Sequence, residues 1–185
     1  MAQTTKFPHP LRMFPNLAAA NRASWLHQRA DEAWSRGRLR SAFRLFLAAA
    51  KAGQVPAFEI IGQFYDYGVG VRPNRHAALH WYRRAYVHGY DSSANNIGCI
   101  WRDRKKVDRA LVWFRRAIRL GDDNANVNIA RIYLNQKGQP ARALPYLKKV
   151  LKSPYATENA KEEASRLLKQ LTRRAKVRPR RREAG

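Results

Sequence analysis

The sequence predicts an all-α fold, a right-handed α-solenoid of about four helix-turn-helix repeats with a C-terminal capping helix. Three observations carry that expectation. A pattern of alanine, aromatic, alanine and glycine recurs at a nearly fixed period. A second small residue precedes each copy at a similar distance, and helix caps and breakers fall at the ends of the segments so defined.

The pattern is visible in AFRLFLAAAKAG from Ala42, ALHWYRRAYVHG from Ala78 and ALVWFRRAIRLG from Ala110. A fourth copy, ALPYLKKVLKSP from Ala143, keeps the frame with Leu147 and Val150 in place of the aromatic and the second alanine. The four anchors are 36, 32 and 33 residues apart. Upstream stand Ala30, Gly62, Gly98 and Ala130, followed three residues later by Ala33, Tyr65, Trp101 and Tyr133. Positions i, i+4 and i+7 share one face of a helix, so Ala78, Tyr82 and Ala85 point the same way. Small residues let two helices approach closely, and the aromatic fills the adjacent hole. One hairpin cannot bury such a face alone, so neighbours must stack.

The ends follow the same logic. Gly53, Gly89 and Gly121 stand where second helices finish and a left-handed residue is wanted. Asn74, Asp91 and Asp122 stand where helix N-caps are expected. The repeats are placed at 21–54, 55–90, 91–121 and 122–154, within a repeat domain covering 21–172. The final helix is expected to open with Ser153 as N-cap and Pro154 as first helical residue. Residues 1–20, with Pro8, Pro10 and Pro15, read as a disordered arm, and 173–185 as a disordered basic tail.

Charge narrows the partners. Thirty-seven Lys and Arg against thirteen Asp and Glu leave +24, which favours nucleic acid, acidic protein segments or an anionic lipid surface. The excess is spread along the whole chain, whereas a nucleic-acid binder more often concentrates it on one face. No run approaches the ~18 apolar residues of a membrane span. One cysteine, Cys99, cannot form an internal disulfide and reads as an inert thiol in an apolar run. A cytoplasmic protein is the expectation.

The segment IGQFYDYGVGVRPNRHAALHWYRRAYVHG, residues 61–89, resembles the Sel-one-like repeat, a longer relative of the tetratricopeptide repeat. Gly62 with Tyr65, the loop from Tyr67 through Gly68, Val69 and Gly70 to Val71, Asn74, Ala78, Trp81-Tyr82, Ala85 and Gly89 carry the likeness. Repeats 91–121 and 122–154 lack the Gly-x-Gly loop and look more like ordinary tetratricopeptide repeats. The resemblance implies an adaptor that presents a groove to proteins or peptides, with no catalytic role and no cofactor.

On the first helices of the pairs, which line the concave face in such relatives, stand Asn96 and Asn128, 32 residues apart. Asn95, Asn124 and Asn126 add to them; Arg131, with His27, Asp31 and Ile60, stands near the positions of a carboxylate clamp of some relatives that this chain does not reproduce. An amide offers donors and an acceptor, so a ladder of Asn can read a peptide main chain. Solvation and capping explain the same residues equally well. The partner expected is a protein or peptide segment, extended or acidic, held in the groove.

The alternative is nucleic acid, met by the basic pairs Arg83-Arg84, Arg115-Arg116 and Lys148-Lys149 together with Arg173 and Arg174 in the tail. Solvated helix faces account for the pairs as well. His76 and His80 at i, i+4 lack a third ligand, and no metal site is expected. Glu59 and Asp66, seven apart, are the one carboxylate pair on a shared helical face worth naming, and no nucleophile accompanies them.

Overall fold

A computed structural model describes residues 15–177, with side chains over 18–173. Among the described residues there are nine helices and no strand. They are α1 (Pro15–Ser35), α2 (Leu39–Lys51), α3 (Pro56–Tyr67), α4 (Arg75–Val87), α5 (Asp91–Asp103), α6 (Val107–Leu120), α7 (Ala125–Asn135), α8 (Pro140–Lys152) and α9 (Glu158–Val177). The chain divides into two units, Met1–His88 and Gly89–Gly185.

In the first unit α1 pairs with α2 and α3 with α4, and α2 packs on α3. In the second, α5 pairs with α6 and α7 with α8, α6 packs on α7, and α9 lies against α8 and α7. The repeated pattern is the core of each hairpin. Ala42, Phe46 and Ala49 are buried on α2, Ala78, Tyr82 and Ala85 on α4, and Ala110, Phe114 and Ala117 on α6. Ala143, Leu147 and Val150 repeat the set on α8.

The small residues work by contact. A Cβ on Gly62 would lie 2.5 Å from two ring carbons of Tyr82, and one on Gly98 would lie 2.6 Å from two of Phe114. Each aromatic ring therefore rests directly on the backbone of its partner helix, closer than any side chain would allow.

The Gly-x-Gly loop has a similar reason. Gly68 caps α3 at φ 72°, and Gly70 follows at φ 63°. Only glycine takes this left-handed region without strain. Gly70 also presses on the preceding repeat, since an added Cβ would meet the carbonyl of Leu39 at 2.5 Å and the amide nitrogen of Arg40 at 2.8 Å. The longer repeat thus spends its extra residues on a contact with the start of α2.

Several expected boundaries move. Helix α1 begins at Pro15, so 15–20, assigned above to the arm, are helical; a proline is tolerated in the first turn. Residues 1–14 of that arm lie outside the described residues. Asn74 caps α4 as expected, its Oδ1 accepting from the amides of His76 and Ala77, both at 3.1 Å. Asp91 is the first residue of α5, with Tyr90 at the cap, and Asp122 precedes the start of α7 by three residues.

Ser153 does not open α9. Its hydroxyl accepts from the amides of Tyr155 and Ala156, which closes a turn, and donates to the Asp123 carboxylate. Thr157 heads the helix instead, its hydroxyl accepting from the Ala160 amide at 3.3 Å. Competition between a serine hydroxyl and the helix start decides the shift, because a side chain bonded two and three residues on favours a turn. At the other end α9 runs to Val177, five residues beyond the expected limit of 172, since no breaker stands before Pro179. Residues 178–185 of the tail lie outside the described residues.

Candidate functional site

The first helices of the second unit carry a connected row of polar side chains. Asn128, nearly buried on α7, is its centre. Its Nδ2 donates to Asn95 Oδ1 on α5 at 2.9 Å. Its Oδ1 accepts from Arg102 Nη1 on α5 at 2.9 Å and from Arg131 Nη1 on its own helix at 3.3 Å. Arg131 then reaches α9, where its Nε donates to Glu163 Oε1 at 2.6 Å and its Nη2 to Glu163 Oε2. Arg102 is steadied from the far side by Asp103, at 3.3 Å to Nε and 3.2 Å to Nη2. The row joins α5, α7 and α9 through side chains alone.

Repeat spacing explains why these residues meet. Asn95 and Asn128 are 33 apart, and Arg131 and Glu163 are 32 apart, so each bond links equivalent positions of successive repeats. Arg102 follows Asn95 by seven residues and shares its helical face. The sequence reading paired Asn128 with Asn96; the structure joins it to Asn95, one position earlier. Arg102 and Glu163 were missed, although the spacing of seven and the period of 32 were both readable.

The other asparagines go elsewhere. Asn124 Oδ1 accepts from the Thr157 amide at 2.9 Å and from its hydroxyl at 3.1 Å, which ties the start of α7 to the start of α9. Asn126 is buried and donates to the Asp123 carbonyl at 2.9 Å, while its Oδ1 has no partner. Asn96 is half-buried on α5.

Asn128 is committed on both ends of its amide. Asn128→Ala is therefore expected to destabilise the second unit by about 1–3 kcal/mol, because two guanidiniums and the Asn95 amide lose a buried partner. Thermal melts with and without any partner read this directly.

Beside the row lies a carboxylate under strain. Burial pushes the Asp122 carboxyl above its ordinary value, and the nearby Asp91 charge adds to the effect. Bonds from the Asn124 and Ala125 backbone and the Asn124 side chain pull the other way and lose. A raised folded-state value means that the ionised form costs stability at neutral pH, and the cost fades as pH falls through that value. Asp122→Asn keeps an acceptor for the Asn124 amide and is expected to raise the melting temperature at pH 7. The gain should shrink as pH approaches the unfolded value of 3.8. A gain that stays constant with pH would show that charge is not its origin.

The basic pairs split by function. Arg83, Arg115, Lys148 and Lys149 are exposed. Arg84 lies over the rings of Phe58 and Trp81, at 4.1 and 4.7 Å, and Arg116 over Trp113 at 4.5 Å. The second member of each Arg pair thus covers an aromatic of its own repeat. Arg173 is exposed near the end of α9, and the side chain of Arg174 lies outside the described residues.

His76 and His80 are exposed on α4, and no group of three metal-ligating side chains stands together among the described residues. Asp66 pairs with Arg75 at 3.9 Å. Cys99 is half-buried. No helix among the described residues is long and apolar enough to cross a membrane.

The Sel1 repeat family matches residues 39–54 and 61–90, and a tetratricopeptide repeat family matches 92–121. This is a Sel1-like repeat protein of the tetratricopeptide superfamily. The one Gly-x-Gly loop, at Gly68 and Gly70, lies within the Sel1 match, and the tetratricopeptide match has none.

Solved structures agree on the fold of this Sel1-like chain. A Sel1 repeat protein from Oxalobacter formigenes superposes with a TM-score of 0.63 at 20% identity, over 89% of this chain and 78% of that one. MamA superposes with a TM-score of 0.59 at 18% identity, over 86% of this chain and 85% of that one. Both support an all-α solenoid. No curated protein matches the sequence. Sel1 and tetratricopeptide repeat proteins are in general protein-interaction scaffolds.

Proposed function

We propose that this Sel1-like protein is a non-catalytic adaptor that holds an extended, acidic protein segment on the first-helix face of residues 91–173. The row Asn95, Asn128, Arg131, Glu163 and Arg102 is the observation that carries this reading. Each guanidinium has five N–H donors, and the bonds described occupy three on Arg102 and three on Arg131. The remaining donors are fixed in direction by the bonds already made, and both side chains keep some exposure, 22% and 38%. Two held guanidiniums suit carboxylates and main-chain carbonyls better than two freely rotating ones, because less freedom is lost on binding. Asn96 stands next to Asn95, and Asn124, just before α7, is already bonded to Thr157.

Selection from a random peptide library tests the reading. Enriched sequences should be rich in Asp and Glu, and the double variant Arg102→Gln with Arg131→Gln should weaken a selected peptide by one to two orders of magnitude. That corresponds to charge-assisted bonds at about 1.5–3 kcal/mol for the pair. Selected peptides without acidic enrichment, or with unchanged affinity for the double variant, would place the binding face elsewhere.

A further inference from the structure

The second helices of the second unit carry an array of cations that the groove does not use. Every basic residue of α6 recurs 33 positions on in α8: Arg109 with Arg142, Arg115 with Lys148, Arg116 with Lys149, and Arg119 with Lys152. All are exposed except Arg116, which is half-buried over Trp113. One carboxylate stands on these two helices, Asp108, and Lys137 binds it at 3.2 Å.

Both helices pack on α7 with their alanine sides turned inward, Ala110 and Ala143 fully buried. Arg109 lies over Trp101 of α5 at 4.8 Å and Arg142 over Tyr133 of α7 at 6.0 Å, so Arg115, Arg119, Lys148, Lys149 and Lys152 are the cations left on the outward sides, in one register. Large apolar side chains are exposed among them. Within the described part of this unit the exposed ones are Val112, Leu120, Leu144 and Leu151 on these same two helices, and Tyr155 just after α8.

We propose that this outer wall of α6 and α8 docks on an anionic phospholipid surface. Charge complementarity supplies the attraction, as clustered Lys and Arg do at such surfaces. The aliphatic side chains decide between lipid and nucleic acid. A phosphodiester backbone gives Val112 or Leu151 nothing to bury against, whereas the headgroup boundary of a bilayer accepts cations and apolar groups together. A strand binder would also offer open aromatic faces for bases. Here Trp113 lies beneath Arg116 and Tyr146 is stacked on Tyr133, which leaves Tyr155 as the open ring beside these two helices, too few for a run of stacked bases.

Cosedimentation of the full chain with vesicles at low salt tests the proposal. One vesicle set is phosphatidylcholine, and the other contains phosphatidylserine at about a third of the lipid. The chain should sediment with the second only. Each cation near such a surface contributes roughly fivefold in partitioning. Arg115→Gln, Arg119→Gln, Lys148→Gln and Lys152→Gln together should therefore reduce binding by two orders of magnitude or more. Should that variant melt at a lower temperature, Arg119→Gln with Lys152→Gln alone should still cost about twenty-five-fold. Val112→Ser with Leu151→Ser should lower vesicle binding severalfold and leave binding to single-stranded RNA and duplex DNA as it was.

Three results would overturn the proposal. The first is an intact chain that does not bind anionic vesicles, and the second is charge variants that bind them like the parent, which would assign the attraction to other basic residues. The third is an apolar variant silent on vesicles combined with nucleic-acid binding that collapses in the charge variants. The wall would then be a phosphate-backbone surface.

Discussion

A chain carrying Gly70→Ala is expected to lose about 2–5 kcal/mol of stability. Two costs combine. Gly70 sits at φ 63°, where an L-residue pays ~1–2 kcal/mol. Its new Cβ would also stand 2.5 Å from the Leu39 carbonyl group. Backbone cannot rotate away as a side chain can, so overpacking adds ~1–3 kcal/mol. Gly89→Ala separates the two costs, because Gly89 has φ 89° and nothing within 4 Å of an added Cβ. Denaturant titrations of both variants should show Gly70→Ala as clearly the worse. Equal losses would mean that the loop does not rest on the start of α2.

Gly98→Leu is expected to follow closely. Even the first atom of the new side chain would lie 2.6 Å from two ring carbons of Phe114, and the rest has no space to enter. The milder Gly98→Ala gains up to about 1 kcal/mol of helix propensity and should still be a net loss. The equivalent positions of the last hairpin hold a smaller combination, Ala130 and Leu147, both fully buried. Gly98→Ala combined with Phe114→Leu should recover most of the loss, a coupling of 1 kcal/mol or more in a double-mutant cycle. Independent, additive losses would place the two residues out of contact.

The hairpins were legible because their signal is repeated. Four copies of one spacing fix the phase of Phe46, Tyr82, Phe114 and Leu147, and each is buried as that phase requires. Ends were less legible. Pro15 and Ser153 each have two local uses, and which one prevails depends on what the flanking residues bond. Ser153 is held by Asp123, 30 residues away, which no local pattern encodes.

The polar row was half legible. Asn128 and Arg131 stand at the expected positions, but a one-residue ambiguity between Asn95 and Asn96 could not be resolved by a period that alternates between 32 and 33. Sequence reasoning also treated the asparagines as open to a partner. The spacings of seven and 32 that bring Arg102 to Asn128 and Glu163 to Arg131 were readable, but spacing alone does not say that these side chains bond one another.

The glycine-on-ring contacts bear on how such a chain is inherited. Gly62 and Tyr82 belong to one hairpin, and Gly98 and Phe114 to another, so each hairpin contains both the hollow and the ring that fills it. A duplication or deletion of a whole hairpin carries matched halves together. A crossover inside a hairpin separates a glycine hollow from the ring seated on it, so that Tyr82 or Phe114 meets a partner helix it was not packed against. Joints at the short connections around residues 52–55, 88–90 and 121–124 keep each glycine with its ring, and recombinants built there should fold better than those joined at 68–74 or 104–106 with mismatched halves.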